Sequence, residues 1–422
     1  MSRSPSIGVI GGGPGGSSFA LYLTNLGVDP ADITIVDQAT FPRPKLCGGG
    51  LTNRGTELVQ GLLGAQPLGG GETRGLEFRC ALGAVNITEK GPQWLYDRGR
   101  LDNLLLGECK ARGVRVIEGA RVREIDAQAY DFRIRTGAVG RAEHLDFDWL
   151  VGADGARGVT GRALGLAPGI VGRLIEAVFE PVSSAHDPSI LYFDFDPILD
   201  GIPGYAWIFP YPKPDASDAT GAGGAGTGVV PGLFKLGIMD GRGVTPGAEL
   251  KRWTMAYAER NGFRLVDDKL AGWPEHYYAP STRAHVPGAI LVGEAWGIDP
   301  LLGEGIAPAL ETAAYGATRL REALDGGTRV IRHYERRFKW TLAGRNLWFQ
   351  AKLANLLYGP NPNRWLRVLF ENQTLLRLAS GGTEQYGRLA KTLPRLLLGY
   401  AGQVLRKGIP SNRPIALPAS VD

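Results

Sequence analysis

Gly11-x-Gly13-x-x-Gly16, in "GVIGGGPGGSS", and an acid at Asp37 have the types and spacing that hold the pyrophosphate and ribose of a dinucleotide. Gly11 permits a tight turn, Gly13 lets a pyrophosphate reach the backbone, and Gly16 lets a helix lie against a strand. Asp37 can accept hydrogen bonds from ribose hydroxyls. Further on, "FPRPKLCGGGL" (41–51) sets Cys47 against three glycines. Such a cysteine could be a metal ligand, a redox thiol, a nucleophile, or a small residue where something large lies against the backbone. Cys47, Cys80 and Cys109 form no CxxC pair, so no metal site is expected, and no histidine near Cys47 in sequence supports a nucleophile. Two roles remain: a small spacer, or a group that tunes reactivity at a bound cofactor.

The elements that must position these residues are legible in the pattern. A β-branched run at Ile7–Ile10 enters the glycine turn, helical spacing follows as far as Gly27, and "ITIVD" makes a second strand ending in Asp37. "LYDRGRLDNLLLGECKARGVRVIEG" places Arg98 and Asp102 ahead of a helix that leads into another strand. "DWLVGADGARGVTGRALG" gives a strand, an Asp154-Gly155 turn and a helix. "AILVGEAWGIDPLLGEGIAPALETAAYGATRL" gives a strand ending at Gly293-Glu294, a loop through Pro300, Gly303 and Gly305, and a helix from Ile306. Three strand-to-loop transitions thus converge on one ligand. Between them, residues 166 to 279 alternate in strand fashion, and aromatics at 192, 193, 195, 205, 207, 209 and 211 partly follow a period of two. Their density favours a hydrophobic pocket over one built for a small charged acid.

These segments resemble the FAD enzymes related to p-hydroxybenzoate hydroxylase, whose fingerprints are GxGxxG, an internal DG and a late GD. The resemblance implies that Asp154 and Gly155 lie near the flavin and the path of the nicotinamide donor. It also implies that Arg98 supports the pyrophosphate and that Gly293 to Ile306 cover the ribityl chain and ring. Residue 294 departs from the pattern, being Glu where Asp is usual. Within that group, "RPKLCGGGL" resembles the P-x-K-x-CGGG signature of the geranylgeranyl reductases, and "YAWIFP" (205–210) resembles their YxWxFP motif. The resemblance covers about the first 340 residues, and a halogenase would carry WxWxIP instead. It implies an α/β fold: a Rossmann-like FAD-binding domain with an inserted antiparallel β-sheet substrate domain (α+β) and a helical C-terminal region. The FAD-binding domain is expected in three parts, 1–75, 98–165 and 280–340. Residues 76–97 and 166–279 form the substrate sheet, with a flexible insertion at 212–231, and 341–422 form a basic helical region.

The activity so implied is reduction of carbon–carbon double bonds in an isoprenoid or prenylated compound, with NADPH or NADH as electron donor. Cys47, Tyr205 and Trp207 stand nearest that chemistry. Tyr205 and Trp207 offer aromatic faces to developing positive charge. Tyr205, the Cys47 thiol and a flavin-bound water are the candidate proton relays. Gly48 and Gly49 would let the chain pass close beneath the flavin, and Arg43 and Lys45 would meet phosphate or substrate charge. The alternative on the same scaffold is a monooxygenase that hydroxylates or epoxidises an aromatic or prenylated metabolite through a peroxyflavin.

Composition bounds the rest. Of 422 residues, 44% are hydrophobic and 21% charged, enough for a sizeable core. From Arg319 onward, 18 Lys and Arg face 6 Asp and Glu, a net +12 that leaves −7 for the preceding part of a chain with 47 basic and 42 acidic residues. That basic tail is interleaved with apolar stretches at 348–359, 364–378 and 394–409, which fits amphipathic helices and peripheral contact with an anionic membrane. No nucleic-acid motif accompanies the charge. The early start of the nucleotide pattern leaves no room for a signal peptide, and no run of about 20 apolar residues appears. A cytoplasmic monomer is expected, with peripheral association at the inner face of the membrane through the tail.

Overall fold

The computed structural model describes residues 4–64, 70–87, 93–128, 131–138, 141–166, 169–212, 229–267, 269–372 and 389–415. The β-branched run Ile7–Ile10 is the middle of a six-stranded sheet. It pairs in parallel with Ile33–Val36 on one side and Trp149–Gly152 on the other. Arg115–Ile117 and Ala289–Leu291 extend the parallel set, and His285–Val286 closes one edge antiparallel. A parallel sheet is buried on both faces, and its inner strands Ile7–Ile10, Ile33–Val36, Trp149–Gly152 and Ala289–Leu291 are accordingly buried at every position. Helices Pro14–Asn25, Asn53–Leu63, Arg98–Ala111 and Ile306–Asp325 cover one face with Phe19, Leu62, Leu105 and Leu310. The other face packs Ile10, Val36 and Leu150 on Val122, Phe132 and Ile134 of a three-stranded antiparallel sheet spanning Arg121 to Phe147.

The glycine turn has the shape its spacing predicts. Gly11 has φ +106°, and a Cβ there would stand 2.4 Å from the Ala153 carbonyl oxygen. At Gly16 a Cβ would stand 1.9 Å from the Gly11 oxygen, so only glycine lets the helix close onto the turn. The helix around Arg98 begins earlier than the sequence suggests. Asp97 caps it, accepting from the Arg100 N–H at 3.0 Å, so Arg98 and Asp102 occupy successive turns within it.

The second large sheet runs in the order Phe263–Leu265, Ile170–Pro181, Val229–Asp240, Gly204–Pro212, Ile190–Asp194, Gly75–Cys80, Gly83–Ile87, with Ala271–Tyr277 also paired to Ile170–Pro181. Its pairings are antiparallel except for Ile190–Asp194 with Gly75–Cys80, which is parallel because the chain crosses into this sheet twice. Gln93–Leu95, expected in this sheet, instead pairs with Gly50–Leu51 and Gly71–Thr73. Strand alternation sends Tyr205, Trp207 and Phe209 to one face with Leu174, Leu191 and Met239. Ala206 and Ile208 go to the other face, against Tyr257 and Ala258 of helix Gly247–Arg260. The expected insertion at 212–231 lies outside the described residues from 213 to 228. The basic region gives helices Leu342–Leu357, Pro362–Phe370 and Leu389–Lys407, with 373–388 outside the described residues. Among the described residues no helix is long and apolar enough to cross a membrane.

Candidate functional site

One cavity of about 810 Å³ lies between the two large sheets. Its nucleotide end is formed by Gly11, Gly13, Asp37, Arg43 and Arg98, and its floor by Cys47, Gly48 and Gly49. Asp154, Gly155, Gly293, Glu294, Gly303, Gly305 and Ile306 line its middle, and Tyr205 and Trp207 its far wall. Every expected site residue therefore lines one space except two. Gly16 is buried behind the turn, and Pro300 stands outside the lining.

At the nucleotide end, neither helix Pro14–Asn25 nor helix Ile306–Asp325 has a side-chain cap, so both N-termini keep their backbone donors for a ligand. Asp37 Oδ2 accepts from the Gly12 N–H and Oδ1 from the Ala39 N–H, each at 2.7 Å. The carboxylate thus shapes the turn as well as bordering the cavity. Arg98 binds Asp102 in a fork of 2.9 and 3.0 Å, and Arg43 joins the same carboxylate at 3.2 Å. Asp102 is fully buried. Two guanidiniums on one carboxylate leave a net positive charge beside Gly13, where Arg43 Nη2 lies 3.4 Å from the place of a missing Cβ. The sequence points to Arg98; the role of Asp102 as the anchor for both arginines emerges only from the packing.

In the middle of the cavity two carboxylates are held by the protein itself. Asp154 does not extend freely toward a ligand: its Oδ2 accepts from the Val159 N–H at 2.7 Å, the Thr160 N–H at 2.9 Å and the Thr160 hydroxyl at 2.8 Å. Only Oδ1 lacks a partner among the described residues, and burial raises this carboxyl above the usual aspartate range. Glu294 uses its extra methylene within the protein, accepting from the backbone N–H groups of Ala156 and His276. Burial pushes its pKa up, while Lys45 and Arg98 pull it down.

The floor and the wall touch. A Cβ on Gly48 would stand 2.8 Å from the Phe209 ring, and one on Gly49, whose φ is +84°, would stand 2.6 Å from the Tyr96 oxygen. The CGGG and YxWxFP segments are therefore fitted to each other. Cys47 Sγ accepts from the Gly49 N–H at 3.4 Å and from the Arg98 guanidinium. The Cys47 carbonyl accepts from Lys235 Nζ at 2.5 Å, and Lys235 pairs with the buried Glu176 at 3.6 Å. Tyr205 donates its hydroxyl to the Leu302 carbonyl at 2.6 Å and Tyr358 donates to Leu301 at 2.5 Å. Asp299 accepts the Leu301 N–H at 2.7 Å, so this loop is clamped from both sides. Tyr205 is thus a clamp, with its proton committed to a carbonyl, whereas the Trp207 Nε1–H has no partner among the described residues. Phe78, Phe193 and Phe209 complete the wall, with ring centroids 5.0 and 5.1 Å apart.

Strand Ala271–Tyr277 carries residues the motifs did not mark. Trp273 lies between Lys45 Nζ, 4.0 Å from its ring centroid, and Arg157 Cζ, 3.8 Å away. Glu275, two residues on, also lines the cavity. The period-two placing of an acid between Trp273 and Tyr277 was the available signal. Among the described residues no cluster of His, Cys, Asp and Glu could hold a metal ion.

Residues 5–193 match the family model for an FAD binding domain. The chain is an FAD-dependent oxidoreductase. This oxidoreductase is 27% identical over 406 residues to a menaquinone reductase of Mycolicibacterium smegmatis, covering 90% of this chain and 91% of the relative. Among solved structures, a geranylgeranyl bacteriochlorophyll reductase-like protein from Thermoplasma acidophilum superposes with a TM-score of 0.71 at 18% identity, over 93% of this chain and 99% of that one. The flavin-dependent halogenase CmlS shares the fold more distantly, with a TM-score of 0.64 at 20% identity, over 86% of this chain and 66% of that one.

Proposed function

We propose that this oxidoreductase reduces a carbon–carbon double bond in an isoprenoid or prenylated substrate, using electrons that NADPH or NADH passes to FAD. The observation that carries the reading is the contact of Gly48 with Phe209, which joins the nucleotide half of the cavity to a wall of aromatic and aliphatic side chains. The names of the menaquinone reductase and of the geranylgeranyl reductase-like protein support the same reading.

The residues fit FAD. Uncapped helix N-termini, the arginine pair on Asp102 and the bare Gly13 suit a pyrophosphate, and Asp37 suits a ribose. FAD, when bound, supplies two-electron hydride chemistry. The chain supplies the rest. Arg43 and Arg98 would hold the pyrophosphate, and the clamped Asp299–Glu304 loop would border the cofactor. Phe78, Phe193, Trp207 and Phe209 exclude water and lay the apolar chain along the sheet. The faces of Tyr205 and Trp207 stabilise positive charge that develops on an unactivated alkene. Cys47, bound to Gly49 and Arg98, fixes the floor and the orientation of Arg98.

Purified enzyme, reduced nicotinamide and a prenylated substrate are mixed without oxygen. Saturated product is expected; product that forms only with oxygen would establish the monooxygenase instead. The tail is proposed to rest on an anionic membrane, because helix Leu389–Lys407 exposes Leu397, Leu398 and Leu405 beside Arg395, Arg406 and Lys407.

A further inference from the structure

We propose that Glu275 is the proton donor of the cavity, the side chain that protonates the substrate carbon next to the one that receives hydride. The inference rests on the reductase reading above. Strand alternation puts Trp273, Glu275 and Tyr277 on one face of Ala271–Tyr277, and the register with Ile170–Pro181 places Leu174 opposite Trp273 and Glu176 opposite Ala271. All of these except Tyr277 line the cavity. Opposite Glu275 stands Gly172, where a Cβ would lie 2.2 Å from the Tyr277 ring. That missing side chain lets the tyrosine pack fully buried beneath the glutamate, to which its hydroxyl donates at 2.6 Å. Glu275 Oε2 lies 3.5 Å from the place of a Cβ on Gly303, where the clamped loop meets the aromatic wall. This is where a reacting double bond must lie if it is to reach both the cofactor and the apolar pocket.

Each of the other acids of the cavity has partners of its own, although Asp154 Oδ1 and Glu176 Oε2 have none among the described residues. Asp37, Asp154 and Asp299 accept two or more backbone N–H groups, Glu294 accepts those of Ala156 and His276, Glu304 accepts from the Thr52 hydroxyl at 2.6 Å, and Glu176 is paired with Lys235. Among the described residues Glu275 accepts only the Tyr277 hydroxyl. The groups facing it are Glu294 and Glu176, which favour its protonated form, and Lys45, which opposes them. Burial dominates and pushes its pKa to about 8, so at neutral pH it carries a proton it can give.

The balance of the step is simple. FAD, when bound and reduced by a nicotinamide, would supply the hydride, two electrons, for one carbon of the double bond. The Glu275 O–H bond breaks and a C–H bond forms at the other carbon. The carboxylate left behind is held by the Tyr277 hydroxyl and regains its proton from water entering the cavity as product leaves.

The test uses holoenzyme, NADPH and geranylgeranyl diphosphate in anaerobic stopped flow, comparing wild type, Glu275→Gln and Glu275→Asp. Gln keeps the size of Glu and still accepts from Tyr277. Flavin content and reduction by NADPH should be unchanged in Glu275→Gln, while substrate-dependent flavin reoxidation should fall by roughly 10²- to 10⁴-fold, with partial return in the Asp variant. Infrared spectra at neutral pH should lose a protonated-carboxyl band in Glu275→Gln and keep it in Glu294→Gln. Unchanged reoxidation in Glu275→Gln, or a band that survives that substitution, overturns the proposal and leaves the reductase reading standing. If wild type saturates no prenylated probe, the reductase reading falls and takes this one with it.

Discussion

Gly48→Ala tests whether the glycines after Cys47 exist for a cofactor or for the protein itself. The added methyl would lie 2.8 Å from Phe209 Cδ2 and 3.1 Å from Cε2. Carbon atoms rest about 3.5 to 4.0 Å apart, so the ring must retreat by about 1 Å. It has little freedom to do so. Phe209 is only 7% exposed, stands edge-on to Phe193 at 5.1 Å, and has the Trp207 ring at 6.4 Å. Overpacking of this kind costs about 1–3 kcal/mol. The flavin-free protein should therefore unfold at lower urea, and Phe209→Leu in the Gly48→Ala background should recover part of the loss. Because the two residues touch, the double-mutant cycle should return a coupling of about 0.5–3 kcal/mol. FAD affinity, read by fluorescence titration, should change less than stability does. Unaltered urea unfolding of the flavin-free Gly48→Ala protein, together with weakened FAD binding, would refute the reasoning and return Gly48 to the role of a flavin floor.

Asp102→Asn removes the charge that holds Arg43 and Arg98, so urea unfolding should show a loss of about 3–5 kcal/mol, and titration should show weaker FAD binding as the arginines lose their fixed position. Tyr205→Phe loses one hydrogen bond to Leu302, worth about 0.5–1.5 kcal/mol, and substrate-dependent flavin reoxidation should change only a few-fold, since that hydroxyl is a clamp. Glu275 holds its proton to about pH 8 in the folded protein against an ordinary 4.5. The stability it contributes is fully present below about pH 4.5 and is lost as pH rises toward 8, so Glu275→Gln should flatten that part of the stability–pH curve measured by urea unfolding. Replacing Leu397, Leu398 and Leu405 with Gln should abolish flotation of the full-length protein with anionic liposomes, and flotation that persists would remove the tail from membrane contact.

The sequence by itself determined the parts whose chemistry is local. Gly11 and Gly16 had to be glycine for backbone reasons that neighbouring residues reveal, the Ile7–Ile10 run had to be a buried parallel strand, and two motifs about 150 residues apart pointed to one kind of flavoenzyme. Nearly all the site residues it marked line the one cavity. What each side chain does there was decided by partners remote in the chain, because a hydrogen bond is chosen by geometry and burial and not by residue type. Tyr205 read as a proton relay until Leu302 proved to accept its hydroxyl, and Glu294 stood out only as Glu in place of Asp until the fold brought the Ala156 and His276 N–H groups to its carboxylate. Asp102 lay in plain view, yet only the fold brings Arg43 to it beside Arg98. Glu275 belongs to no motif. Its place follows from a strand register, and its proton from the burial that only the closed tertiary structure supplies.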